Sequence, residues 1–498
     1  MASDLRLVTY VSVYLVLVLQ PKPTNGRRML SLWDYANSDA IGIVQMVQRG
    51  RATPAEIREL AVEALEAIAP WNVVEEIYKN REPNSLRGVL TGVPILHKDS
   101  SLQIEGLPRQ YGSPLGVGHV GTHTNRVFQH LLHAGCDIVG RSRVPELVLS
   151  VVGDNARRGS PMNPFNPKYS MGGTTAGVAA VALGAVPIAQ GADAGGSLRI
   201  PASWAGCYTL KPSARCVSAE PVGDQLFDLD QVFVATRSLR DLRAFRAVLG
   251  QGAPGDFTAD LAPSHAPLPG RGIRLGVVKS LFAGLRVDSE HLDAIDEFTE
   301  SAQRIGCTTS EVDLQLDFDE YCEALYTIFS VDLRAMVHCL VGADIRRFEV
   351  ESQRFLVDWY NEAETIDGES LLSAVDYAKQ ASQTVSRLFG SLDFLVSPVT
   401  AQPAPRLDSL LSTPPNPPVG RSLNRTFEEL AHFCAIFNLS GHPALVMPYT
   451  SSPTTGLPCG IQLAGPAGSD YALIDFAQLF DRGFRGPAAG LLNELTPG

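Results

Sequence analysis

Short apolar runs take turns along this chain with stretches whose apolar positions recur every third or fourth residue, the two periods that mark strand and helix. TPAEIRELAVEALEAIAP (53–70) has the helical period. Thr53 stands at a capping position, Pro54 in the first turn and Glu56 three residues past the cap, which together predict a capped helix. VVEEIY (73–78) and CDIVG (136–140) read as strands, with helical NRVFQHLLHAG (125–135) between them. IRLGVV (273–278) begins another strand after the loop APSHAPLPGRG (262–272), and a helix is expected near 288–305. Such alternation predicts an α/β protein with a central sheet covered by helices. GVAAVALGAV (177–186) is small and apolar on every face and predicts a fully buried helix. LDSLLSTPPNPPVGRSLN (407–424), proline-rich and polar, is expected to form a mobile loop over a site.

The apolar run LRLVTYVSVYLVLVL (5–19) is shorter than the ~20 residues that span a bilayer. Only Arg6 is basic ahead of it, and QPKPTNGRR follows where a signal-peptide cleavage site would lie. A peripheral anchor, an added strand and an extension upstream of Met29 are the alternatives, of which the extension is favoured. Residues 1–28 are therefore set apart and 29–498 assigned to a single domain, with any membrane contact confined to residues 5–19. The net charge of −12 offers no basic stripe, so nucleic acid is excluded as a partner. Eight scattered cysteines, without a CxxC pair or short spacing to histidine, predict a reduced, cytoplasmic chain. His119 with His123, and His130 with His133, have metal-like helical spacings, but isolated pairs of this kind read as surface or packed histidines and no metal is expected.

Two glycine and hydroxyl clusters flank the small-residue run, GGTT (172–175) and GGS (195–197). Glycine lets a ligand approach the main chain closely, so the pair suggests a built site. The motifs GxSxG, HExxH, SxxK and GxxxxGK[ST] are all absent. A serine hydroxyl attacks only when a base takes its proton, and a lysine serves when burial lowers its pKa. Lys98, at the end of the strand-like TGVPILHKDS (91–100), would be carried into the interior. Read alone, Lys98 and Asp99 fit a solvated strand end better.

The combination decides between them. GVPILHKD (92–99), GGTTAG (172–177) and GADAGGSLRIPAS (191–203) resemble the amidase signature family, whose usual forms are GVPxxxKD, GGSSGG and GTDTGGSIRxPA. The resemblance extends to GRSRVPEL (140–147), SPMNPFNP (160–167), AGCYTLKPS (205–213), ATRSLRDL (235–242), DFLVSPVT (393–400), FNLSGHPALVMP (437–448) and GLPCGIQL (456–463). It implies a large central mixed sheet covered by helices on both faces, with core motifs at 88–242 and 393–463 and a variable, substrate-shaping region at about 220–340. Ser197 is then the nucleophile, Lys98 the base and later proton donor, and Thr174 the bridging hydroxyl, held on a cis peptide bond. Backbone amides of Ala194, Gly195, Gly196 and Ser197 would stabilise the oxyanion. Thr175 lies beside the bridge, Asp193 and Arg199 pin the nucleophile loop, and Ser170 lines the site or turns the chain.

This chain departs from the pattern in reading GGTT, in an interval from Thr174 to Ser197 one residue shorter than the family's, and at Arg143, Ala176 and Thr209. Threonine keeps the hydroxyl but stiffens χ1. The activity implied is hydrolysis of a small-molecule amide C–N bond through a Ser197 acyl-enzyme, with no metal or organic cofactor. The DAGGSLRIPAS form is similar to members acting on linear or cyclic amides of small ω-amino acids. Alternatives are an esterase or acyl-transferring variant, a catalytically impaired relative with a binding role, and the amidase component of a multi-protein amidotransferase. A homodimer is the one oligomer entertained. Pocket walls are expected from about 220–340 and 400–430, with Phe227, Phe233, Tyr321, Tyr326 and Phe329 as apolar lining.

Overall fold

Eleven strands build one mixed sheet: β1 Val74–Ile77, β2 Pro94–Lys98, β3 Asp137–Ser142, β4 Ile188–Asp193, β5 Tyr208–Lys211, β6 Gln231–Thr236, β7 Arg274–Val277, β8 Thr308–Glu311, β9 Phe394–Pro398, β10 Ala444–Ser451 and β11 Pro458–Ala464. The computed structural model describes residues 30–155, 158–221, 228–250, 272–314, 316–409, 419–483 and 486. The strands lie in the order β1-β3-β2-β4-β6-β5-β10-β11-β9-β7-β8. β2 runs parallel to both β3 and β4, and β7 parallel to both β8 and β9, while the pairs joining these two groups are antiparallel. Every residue of β2, β3, β4, β5, β6, β9 and β11 is buried, as happens only when helices cover both faces of a sheet. The outermost strand β8 is mostly exposed.

Pro54–Ala67 and Ser289–Arg304 form where the apolar period placed them, and Leu239–Leu249, which it did not single out, joins them as cover. Pro54–Ala67 packs on β1, β2 and β3, Leu239–Leu249 on β6, and Ser289–Arg304 on β9 and β11. At the start of the first, Thr53 Oγ1 accepts from Glu56 N (3.2 Å) and the Glu56 carboxylate accepts from Thr53 N (2.7 Å). A cap of this kind contributes about 1 kcal/mol.

Two expectations are corrected. The buried helix spans only Gly177–Ala182, although each of its residues is buried as expected. Gly184 ends it with φ of +78°, a turn that releases the chain into β4. The supposed loop 407–424 divides: Leu407–Ser409 is a 3-10 turn, 410–418 lie outside the described residues, and Gly420 begins the helix Gly420–Ser440. Leu423, Phe427 and Ala431 explain that helix, since they recur every fourth residue and are buried. The apolar run 5–19 and the start at Met29 also lie outside the described residues.

A further apolar cluster joins the helices Phe318–Val341, Ile345–Glu351 and Arg354–Glu362 to Tyr111, Leu115 and Leu147. Phe318–Val341 is long and apolar enough to cross a membrane by composition, but here it packs against the helices Gly368–Leu388 and Gly420–Ser440. All eight cysteines are free thiols.

Candidate active site

The parallel pairing of β2 with β4 sets Leu96 against Ala189, so both strands end at the same edge of the sheet. Clefts outside the carboxyl ends of parallel strands are where α/β proteins bind ligands. At that edge β2 delivers Lys98, which is 2% exposed, and its Nζ donates to the Ala192 carbonyl at 3.3 Å. The Lys98 amide donates to Gln190 Oε1 at 3.1 Å, a second tie between the two strands. β4 delivers Asp193 and then the turn Ala194–Leu198, which leads into the helix Arg199–Trp204. The chain before the helix Gly177–Ala182 delivers Thr174, whose preceding peptide bond from Gly173 is cis.

A cavity of about 560 Å³ opens on this edge, and Lys98, Thr174, Ala194, Gly195 and Ser197 all line it. Its size falls in the range of small-molecule sites. The hydroxyls of Ser100, Thr174 and Thr175 are buried without a hydrogen-bond partner among the described residues. Two of these, Ser100 and Thr174, belong to cavity-lining residues. Unmet buried hydroxyls are costly and concentrate where a ligand or reaction supplies the missing partner.

The nucleophile turn is held from behind. The Asp193 carboxylate accepts from Gly196 N (2.8 Å), Arg199 N (3.2 Å), Arg199 Nε (2.9 Å), Arg199 Nη2 (2.8 Å) and Asn438 Nδ2 (3.1 Å). Burial acts to raise the Asp193 pKa, but the Arg199 guanidinium and the Asn438 and Gly196 donors outweigh it and hold the carboxyl well below the usual carboxylate range. Arg199 reaches on to Gln462 Oε1 (2.7 Å) and Asn438 Oδ1 (2.5 Å). Asn438 and Gln462 carry no role in the sequence reading. The only trace of them there is their position inside the motifs at 437–448 and 456–463.

This arrangement removes Gly196 from the expected oxyanion donors, because its amide is committed to Asp193. Ala194, Gly195 and Ser197 remain. Gly196 has φ of +113°, and a Cβ there would lie 2.8 Å from that of Cys434, so the position admits only glycine. Thr175 stands behind the turn, its amide donating to the Ser197 carbonyl at 3.2 Å. Ser170 does not line the cavity. Its hydroxyl donates to the Val152 carbonyl (2.6 Å) and accepts from Gly172 N (2.8 Å), which turns the chain. Of the departures from the family pattern, Arg143 donates to the Arg158 and Val74 carbonyls and Thr209 to the Val234 carbonyl, both away from the cavity.

The cavity wall comes only in part from the expected regions, since Arg109, Tyr111, Leu147 and Trp359 also supply it. Of the aromatics expected there, Phe329 lines it. Phe233 lies in β6, Tyr321 points its hydroxyl at Glu428, and Tyr326 stacks on Trp359 at 6.1 Å, while Phe227 lies outside the described residues. Within 220–340 the wall is supplied by Asp230 and the helix Phe318–Val341, the rest being largely sheet and its covering helices. Asn424, Phe427 and Glu428 contribute from the helix that replaced the expected loop. Tyr111, Leu147 and Val148, all part of the wall, have left-handed backbones with φ of 54°, 52° and 60°. Such a conformation costs on the order of 1–3 kcal/mol at a non-glycine residue and clusters at functional sites. Among the described residues no group of three or more His, Cys, Asp or Glu is placed to hold a metal ion.

A family model described as Amidase matches residues 61–474. A lipoamidase from Enterococcus faecalis is 26% identical over 489 residues, covering 92% of this chain, which spans 65% of that longer protein. One of the subunits of the glutamyl-tRNA(Gln) amidotransferase of Deinococcus deserti is 28% identical over 481 residues, covering 88% of this chain and 95% of the relative. Among solved structures, a 6-aminohexanoate cyclic dimer hydrolase in complex with its substrate superposes with a TM-score of 0.80 at 24% identity, covering 91% of this chain and 97% of the other.

Proposed function

Since the chain belongs to the amidase family and is an enzyme of amide C–N hydrolysis, we propose that it works through an acyl-enzyme on Ser197, with Lys98 as base and Thr174 relaying the proton between them. One observation carries this reading: a single cavity is lined by the lysine, the bridging hydroxyl, the serine and the glycine turn. Lys98 is buried at the end of β2 in the cavity wall, beside the hydroxyls whose proton it would accept. Lys98 takes a proton from the Thr174 hydroxyl, which in turn takes one from Ser197 as its Oγ attacks the substrate carbonyl. Amides of Ala194, Gly195 and Ser197 receive the developing oxyanion. The proton returns along the same path to the departing amine, and water then releases the acyl group by the same sequence.

A threonine can fill the relay because a hydroxyl is both donor and acceptor, whichever of serine or threonine carries it. The substrate we propose is a small-molecule amide that fits the 560 Å³ cavity. A fluorophosphonate probe tests the assignment. The wild-type chain is expected to be labelled at Ser197 and Ser197→Ala to stay unlabelled, whereas an unlabelled wild type, or label persisting on the variant, overturns it.

A further inference from the structure

Glu428 lies in the wall of the same cavity and is 4% exposed, yet no cation pairs with it among the described residues. Its one side-chain partner is the Tyr321 hydroxyl, which donates to Oε2 at 2.7 Å. The arginines on its own helix are engaged elsewhere: Arg421 with Glu323 and Glu362, Arg425 with Asp319. His432, one turn on, is kept neutral by burial, which pulls its pKa down to about 4. Left without a cation, the Glu428 carboxyl is pushed by burial up to about 7. A buried carboxyl of this kind is costly unless something pairs with it.

The helix Gly420–Ser440 also supplies a ruler. Ala435 touches the nucleophile turn, its Cβ 3.8 Å from where a side chain on Gly195 would begin. Glu428 lies two turns back along the same helix, about 10 Å away at 1.5 Å per residue.

We propose that Glu428 binds a protonated amine of the substrate, so that the amides cleaved here carry a cationic group about 10 Å from the scissile carbonyl. This deepens the preceding reading, on which it rests for the place of the reacting bond. The partner it identifies is an alkylammonium group, on either the acyl or the leaving side of the amide.

Calorimetric titration of the full chain with n-alkylammonium ions of increasing length, beside n-alkanols of equal length, tests the proposal in mildly alkaline buffer. At the best length the ammonium ion is expected to bind at least about tenfold more tightly than the alkanol, with the preference abolished in Glu428→Gln. Equal binding of the two in the wild type, or a preference that survives Glu428→Gln, overturns the proposal. The wild-type comparison decides by itself if the variant does not fold. Fluorophosphonate labelling of the same samples separates the two readings. Label on Ser197 without an amine preference sinks the Glu428 proposal alone, and amine preference without label sinks the Ser197 reading alone. Turnover of ω-aminoacyl anilides and of N-acetyl diamines, each against its uncharged analogue, then assigns the side. Failure of both charged series to outpace their analogues counts against the proposal.

Discussion

At the scale of single residues the proposed chemistry depends on a proton moving from Ser197 to Lys98 through Thr174. Lys98→Ala is expected to lower kcat/KM by about 10²–10⁴-fold, the usual contribution of a positioned base. Thr174→Ser should cost far less than Thr174→Val, because serine restores the donor and acceptor and valine removes them. Steady-state kinetics on any turned-over amide checks the order, and equal losses in the two threonine variants would discard the relay. That these three residues would share one cavity was legible in the sequence, because each sits in a motif with its neighbours. Asn438 and Gln462 were not, since their partner Arg199 lies 239 and 263 residues away and a lone polar residue in an apolar element has no period to betray it.

At the scale of elements, the turn between β4 and the helix Arg199–Trp204 gives its two glycines different tasks. A Cβ on Gly195 meets nothing nearer than Phe329 at 3.6 Å, whereas one on Gly196 collides with Cys434 and Ile200. Gly195→Ala should therefore fold like the wild type but lose activity, through a methyl placed beside Ser197. Gly196→Ala should lose stability as well, by about 1–3 kcal/mol in denaturant titration, from overpacking and an unsuitable φ. A Gly195 variant as unstable as the Gly196 variant would contradict this division. Sequence reasoning counted both glycines as oxyanion donors, because spacing cannot tell which amide of a turn faces inward. It foresaw β1, β2, β3 and β7 from their short apolar runs, did not single out the other seven strands, and misjudged 407–424 because prolines masked the helical period beginning near Leu423.

At the scale of the whole molecule, the burial of Glu428 links its protonation to folding. Its carboxyl is raised from 4.5 to about 7, so the folded chain binds the proton more tightly than the unfolded chain does. Stability is then expected to fall as pH rises through the window from about 4.5 to about 7, by up to about 3 kcal/mol in total. Denaturant titrations across that window should show a shallower fall for Glu428→Gln, and parallel curves would refute the linkage. The left-handed backbones of Tyr111, Leu147 and Val148 carry a different consequence for anyone breeding a heat-resistant descendant. At buried Tyr111 and Leu147 the packing lost would outweigh the strain relieved, so a screen for thermal survival alone will tend to collect asparagine at partly buried Val148 instead. The hardier progeny would have a slacker catalytic chamber and would convert their substrate more slowly.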